Sequence, residues 1–127
     1  MNARATSDSR RKAETGGRRS ETLAAIFLRL KGFSILAQRV RTPGGEIDLV
    51  ARRGALLVFA EVKARKNFDA AVLAVTPAAR RRIGRAASLY LSRRPDLARC
   101  AVRYDIIAVT GWRVRHLADA WRDDPMR

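Results

Sequence analysis

At 127 residues the chain is long enough for one domain with a real core and too short for two, and its single cysteine, Cys100, excludes an internal disulfide and a cysteine-built zinc site. Lys and Arg number 27 against 12 Asp and Glu, a formal charge of +15 that attracts polyanions and makes binding salt-dependent, so nucleic acid is the leading partner class. No apolar run reaches the length that spans a bilayer, no signal-peptide pattern is present and the basic residues are not gathered on one amphipathic helix, so a cytoplasmic protein with no membrane partner is expected.

Residues 1–19, MNARATSDSRRKAETGGRR, lack apolar periodicity and read as a disordered basic tail. Ser20 opens a helix that runs to about Lys31, with Gly32 as its stop, and the folded domain is placed at 20–121. Leu23, Phe27 and Leu30 form the stripe that packs on a sheet. Glu21 falls in the first turn, where an acid suits the helix dipole. Phe33 to Val40 is a first strand, and TPGG at 42–45 is a turn.

The stretch from Gly45 to Lys63, GEIDLVARRGALLVFAEVK, reads as a hairpin whose two-residue loop is Arg53 and Gly54. That loop pairs Asp48 with Phe59 and Glu46 with Glu61, and alternation then puts Glu46, Asp48, Glu61 and Lys63 on one face, with Asp48 and Glu61 diagonal neighbours roughly 7 Å apart. Val50, Leu57 and Phe59 share this face, while Ile47, Leu49, Leu56, Val58, Ala60 and Val62 occupy the other, so both strands are covered on both sides. Glu and Lys two apart on a strand are often only a solvated face, but a solvated face alternates polar throughout and VFAEVKA does not. Carboxylates clustered in apolar surroundings repel unless a metal or a basic group joins them.

After Lys63, ARKNFDAAVLAV reads as a loop or irregular segment beside the acidic end of the hairpin, with Arg65 and Lys66 as candidate phosphate contacts. Thr76 and Pro77 start a second helix that runs to about Arg93. Arg81 and Arg85 lie on its far side, flanked by Arg80 and Arg82 and with no acid among them, which suits a surface for phosphates. Ala101 to Val109 is a fourth strand, and WRVRHL after the Thr110–Gly111 turn is a short fifth. Asp105 either supports the site from behind or ion-pairs with an arginine, the commoner arrangement. His116, the single histidine, has no second ligand at metal spacing and reads as an ordinary residue. ADAWRDDPMR adds a turn of helix with Trp121 packed as a cap, and 122–127 fray.

No nucleophile elbow, phosphate-cradling glycine loop or dinucleotide fingerprint occurs. What remains is Asp, a turn, then Glu-x-Lys on a strand, a set that suits Mg²⁺, with Mn²⁺ as a substitute: a hard cation takes oxygen ligands, keeps waters and polarises a phosphodiester. The stretch GEIDLVARRGALLVFAEVKAR, with ETLAAIFLRLKGF, AVTP and RYDIIAV around it, resembles the uncharacterised bacterial YraN family of the PD-(D/E)xK nuclease-like superfamily, related to restriction endonucleases and Holliday-junction resolvases. The resemblance extends from about Gly17 to Trp121. It implies a restriction-endonuclease-like, three-layer α/β/α sandwich with a mixed central sheet. It assigns Glu21 the first-helix acid, Asp48 and Glu61 the metal ligands and Lys63 the motif lysine, with Glu46 a nearby acid. It also implies a lysine on the second helix, where this chain has Ala79 followed by Arg80. The expected function is a metal-dependent endonuclease acting on DNA, branched or structured DNA included, with a homodimer in keeping with resolvase-like proteins. The alternatives are a nucleic-acid-binding module that retains the nuclease fold without turnover, and an RNA-binding accessory protein. Aromatic residues for stacking single strands are sparse, against the last.

Overall fold

Five strands form one mixed sheet in the order β1-β2-β3-β4-β5. The computed structural model describes the backbone of residues 3–123 and the side chains of residues 17–123; the remainder of the expected frayed end, 124–127, lies outside them, as do Met1 and Asn2. The strands are β1 (Ser34–Thr42), β2 (Gly45–Arg53), β3 (Leu56–Ala64), β4 (Ala101–Thr110) and β5 (Arg113–Trp121). Neighbours run antiparallel except β3 and β4, which are parallel and therefore need a crossover. That crossover carries α2 (Phe68–Ala74), α3 (Pro77–Ser92) and a 3₁₀ turn, while α1 (Ala3–Leu30) precedes the sheet.

The sheet is covered on both faces, as a three-layer α/β/α sandwich. Ala24, Ala25 and Leu28 of α1 pack with Leu49, Val58, Ala60, Val62 and Ile107 on one side. Ile83, Ala86 and Ala87 of α3 pack with Val50, Leu57, Phe59 and Ile106 on the other. The face assignments read from the hairpin therefore hold for these residues, because a two-residue period survives any even loop.

Four expectations need correction. The hairpin loop is Gly54–Ala55, since Arg53 pairs with Leu56 and Val50 with Phe59. Gly54 takes φ 60°, open to a residue without Cβ, and the register is two residues away from the expected one. The helix does not begin at Ser20: its backbone is helical from Ala3, through the segment read as a disordered tail, and Ser20 is a buried interior position. Ala, Arg, Lys and Glu in that segment are good helix formers, which apolar periodicity alone does not register. The segment after Lys63 contains α2, whose N-cap Asn67 accepts from Ala70 N–H at 2.8 Å, a helix too short to show a period. Ala118–Trp121 continue β5 instead of forming a helical turn, and Trp121 stacks on Tyr104 at 5.2 Å.

The turn between β1 and β2 fixes where α3 sits. A Cβ on Gly44 would meet Arg85 Cβ at 3.1 Å, and one on Gly45 would meet the Arg82 carbonyl at 3.1 Å, so glycine there lets the helix backbone close onto the sheet end that holds Asp48.

Candidate functional site

Asp48 stands where the strands on both sides depart from regular pairing. In the β1–β2 ladder Gln38 pairs with Leu49 and Val40 with Ile47, while Arg39 and Asp48 between them are passed over. Arg39 has φ 52°, a region that residues with a Cβ rarely occupy. Across β2 and β3 the ladder stops at Leu49 and Ala60, and beyond it Asp48 Oδ2 accepts from the Val62 backbone N–H at 2.8 Å. A carboxylate oxygen thus takes the place of a ladder carbonyl. The consequence shows in packing, because Ile47 and Leu49, two apart on one strand, lie in opposite cores.

On β3 the Lys63 Nζ sits 3.7 Å from Glu61 Oε1, with side chains 27% and 14% exposed. Burial first, then the charge and hydrogen bonding of neighbouring Asp48, push the Glu61 carboxyl up to about 9, against a weaker opposing pull from Lys63. Glu61 therefore holds a proton at neutral pH.

These groups face a cleft of about 440 Å³. Arg19 and Glu21 of α1 form one wall, and Asp48, Glu61, Lys63 and Arg65 the other. Glu21 accepts from Arg39 Nε at 2.6 Å, which ties the helix acid to the irregular position in β1. Counting back from the Pro43–Gly44 turn puts Arg39 opposite Asp48, so its place beside the site was countable in the sequence. Arg19 was read as part of the tail, and nothing in its local pattern distinguishes it.

Other expected site residues lie elsewhere. Glu46 is exposed and 3.8 Å from Arg41, since the irregularity at Asp48 breaks the alternation that grouped them. Asp105 is fully buried and takes the ion-paired option: Arg103 donates to both its oxygens at 2.9 and 2.8 Å, His116 Nε2 lies 2.6 Å away, and Asp119 N–H donates at 2.9 Å. His116, read as an ordinary residue, is a member of this network, and Lys31 Nζ also reaches its Nδ1 at 3.0 Å. Arg80 donates to the Val75 carbonyl at 3.1 Å and lies 5.5 Å over the Trp121 ring, engaged by the fold. Ala79 beside it packs against the core. Arg81, Arg82 and Arg85 are exposed on α3, in the layer opposite α1, and Lys66 is exposed outside the cleft lining.

Two half-buried carboxylates, Glu61 with its proton affinity raised by burial and by Asp48, beside a lysine, fit a hard divalent cation that keeps several waters. Among the described residues no group of three or more His, Cys, Asp or Glu comes together, so the chain would supply two carboxylate ligands, Asp48 and Glu61.

The sequence profile of the Uncharacterised protein family UPF0102 matches residues 20–109. The chain belongs to this family. A UPF0102 protein of Paramagnetospirillum magneticum is 48% identical over 129 residues, covering 98% of this chain and all of the relative. A UPF0102 protein of Rhizobium etli (strain CIAT 652) is 57% identical over 113 residues, covering 88% and 93%. One from Chelativorans sp. (strain BNC1) is 56% identical over 101 residues, covering 80% and 82%. The matched segment contains every residue of the cleft named above except Arg19. Among the described residues no helix is long and apolar enough to cross a membrane.

Proposed function

We propose that this cleft hydrolyses phosphodiester bonds in DNA, branched or structured DNA included, as a metal-dependent endonuclease with Asp48 and Glu61 holding Mg²⁺ or Mn²⁺. The observation that carries the reading is the convergence of Glu21 from α1 with Asp48, Glu61 and Lys63 from the β2–β3 hairpin on one cleft of a chain with charge +15. A bound divalent cation supplies Lewis acidity toward a phosphodiester. Lys63 orients the attacking water or offsets the negative charge that develops as it attacks. Arg19 and Arg65 at the walls bind flanking phosphates. Asp48 and Glu61 would be the residues that hold the cation, and Glu61, protonated in the metal-free chain, would have to be ionised to serve as a ligand.

One observation favours a second reading. Glu21 is held by Arg39, leaving two carboxylates for a metal, which suits a nucleic-acid-binding module that keeps the nuclease fold without turnover. Labelled single-stranded, duplex, flap and four-way-junction DNAs incubated with Mg²⁺ or Mn²⁺, beside identically purified Lys63→Ala, separate the two. Products that vanish in the variant are expected. Intact DNA in every lane, with binding retained, would replace the enzyme with the binding module.

A further inference from the structure

Trp112 is 72% exposed at the turn between β4 and β5, whereas the other tryptophan, Trp121, is buried and stacked on Tyr104. Apart from a cation–π contact with Arg19, the Trp112 ring is largely left in water, and a large aromatic so exposed gains by being covered. Its position is informative. β4 runs parallel to β3 with Val109 paired to Ala64, and Arg65 N–H donates to the Val109 carbonyl at 3.2 Å, so the turn carrying Trp112 borders the end of β3 that holds Glu61 and Lys63. The Arg19 guanidinium lies 5.1 Å from the centre of the Trp112 ring while Arg19 itself forms part of the cleft wall. The ring therefore stands one side chain away from the cleft, at a rim carrying Arg19, Lys63 and Arg65.

We propose that Trp112 is a stacking platform for an unpaired nucleobase whose phosphate lies in the Asp48–Glu61 cleft, so that the substrate class is nucleic acid with single-stranded character at the site. The inference rests on the reading of the cleft as a nucleic-acid site. Charge selects the occupant: a cationic rim around an aromatic face repels basic partners and offers phosphate contacts one nucleotide away from a π surface. A base paired within a duplex has its faces covered by its neighbours, so the platform takes bases from flaps, junction centres or single strands. Arg19, already lying against the ring, links base and phosphate positions.

The test is equilibrium binding of labelled short oligonucleotides in chelator, where cleavage cannot occur, to the wild type, Trp112→Ala and Trp112→Phe. Single-stranded DNA, single-stranded RNA and duplex DNA are compared. Trp112→Ala is expected to weaken single-strand binding at least about fivefold, the scale of one stacked base, while Trp112→Phe restores most of it. Duplex affinity and the salt slope stay at wild-type values, because no phosphate contact is removed. A loss confined to RNA, or shared by DNA and RNA, keeps the platform and states which sugar it accompanies. Unchanged single-strand affinity, equal losses on duplex and single strand, a phenylalanine variant as weak as the alanine one, or no binding by the wild type would each overturn the proposal. Absence of catalysis in the cleavage panel, with this pattern of affinities, would remove the nuclease reading and leave the platform standing.

Discussion

The Val62 backbone N–H donates to Asp48 Oδ2 at 2.8 Å, so the acid that faces the cleft also closes the β2–β3 ladder. Structure and chemistry at this residue are separable by substitution. Asp48→Asn keeps an acceptor oxygen for Val62 and removes the charge, and it is expected to fold within about 1 kcal/mol of wild type while cleavage disappears. Asp48→Ala leaves the Val62 N–H without its partner and costs a further ~1–3 kcal/mol in urea denaturation. Equal stabilities for the two variants would show that the bond contributes nothing to the fold.

Glu61 gives the metal-free protein a pH dependence of defined sign. Its carboxyl titrates near 9 in the folded chain against an ordinary value of 4.5. Between those values the folded state holds a proton that the unfolded state has released, so this group's contribution is complete below 4.5, declines as pH rises and is lost above about 9. Glu61→Gln stays neutral throughout. Thermal melts in chelator should therefore show the variant gaining on wild type by more than about 4 °C between pH values near 5 and 9. Parallel curves would mean that Glu61 is ionised in the fold.

Asp105 is a structural acid, and its removal should damage stability rather than affinity. Burial alone would raise its carboxyl, but the hydrogen bonds from His116 and Arg103 outweigh that and hold it below the ordinary 3.8. Its contribution is present above 3.8 and is lost as pH falls through the lowered value. Asp105→Ala strands a buried histidine and an arginine and is expected to cost ~3–5 kcal/mol in urea denaturation. A loss below about 1 kcal/mol would show that the network is expendable.

The arginines of α3 divide by what they touch. Arg81→Ala with Arg85→Ala removes two exposed charges, so DNA affinity should drop and the logarithmic salt slope should fall by about 2. Arg80→Ala should leave that slope unchanged and cost about 1 to 2 kcal/mol of stability, since its guanidinium is engaged by Val75 and Trp121. A salt slope unaltered by the double substitution would remove α3 from the binding surface.

By itself the sequence determined the layers and the central pair of strands. Side chains alternate with a period of two, so Val58 and Ala60 face α1 while Leu57 and Phe59 face α3 whichever even loop joins the strands. The pairing of Asp and Glu-x-Lys in apolar surroundings was equally local, and it pointed to one end of one hairpin. Tertiary structure decided the rest, because it depends on groups that no short window contains. Arg39 and Asp48 drop out of the pairing together while the register on either side of them is unchanged, and around that break Glu46 leaves the cluster and Ile47 joins the other core. Asp105 became the centre of a buried network only when β5 brought His116 and the Asp119 backbone N–H to it, with Lys31, just past the end of α1, reaching His116. Arg80 and Arg81, adjacent in an unbroken basic run, part company because the helix turns about 100° between them and only Arg80 reaches the Trp121 ring. Local pattern sets which face a residue prefers; the irregularities that aim individual charges arise where distant strands and helices must satisfy one another.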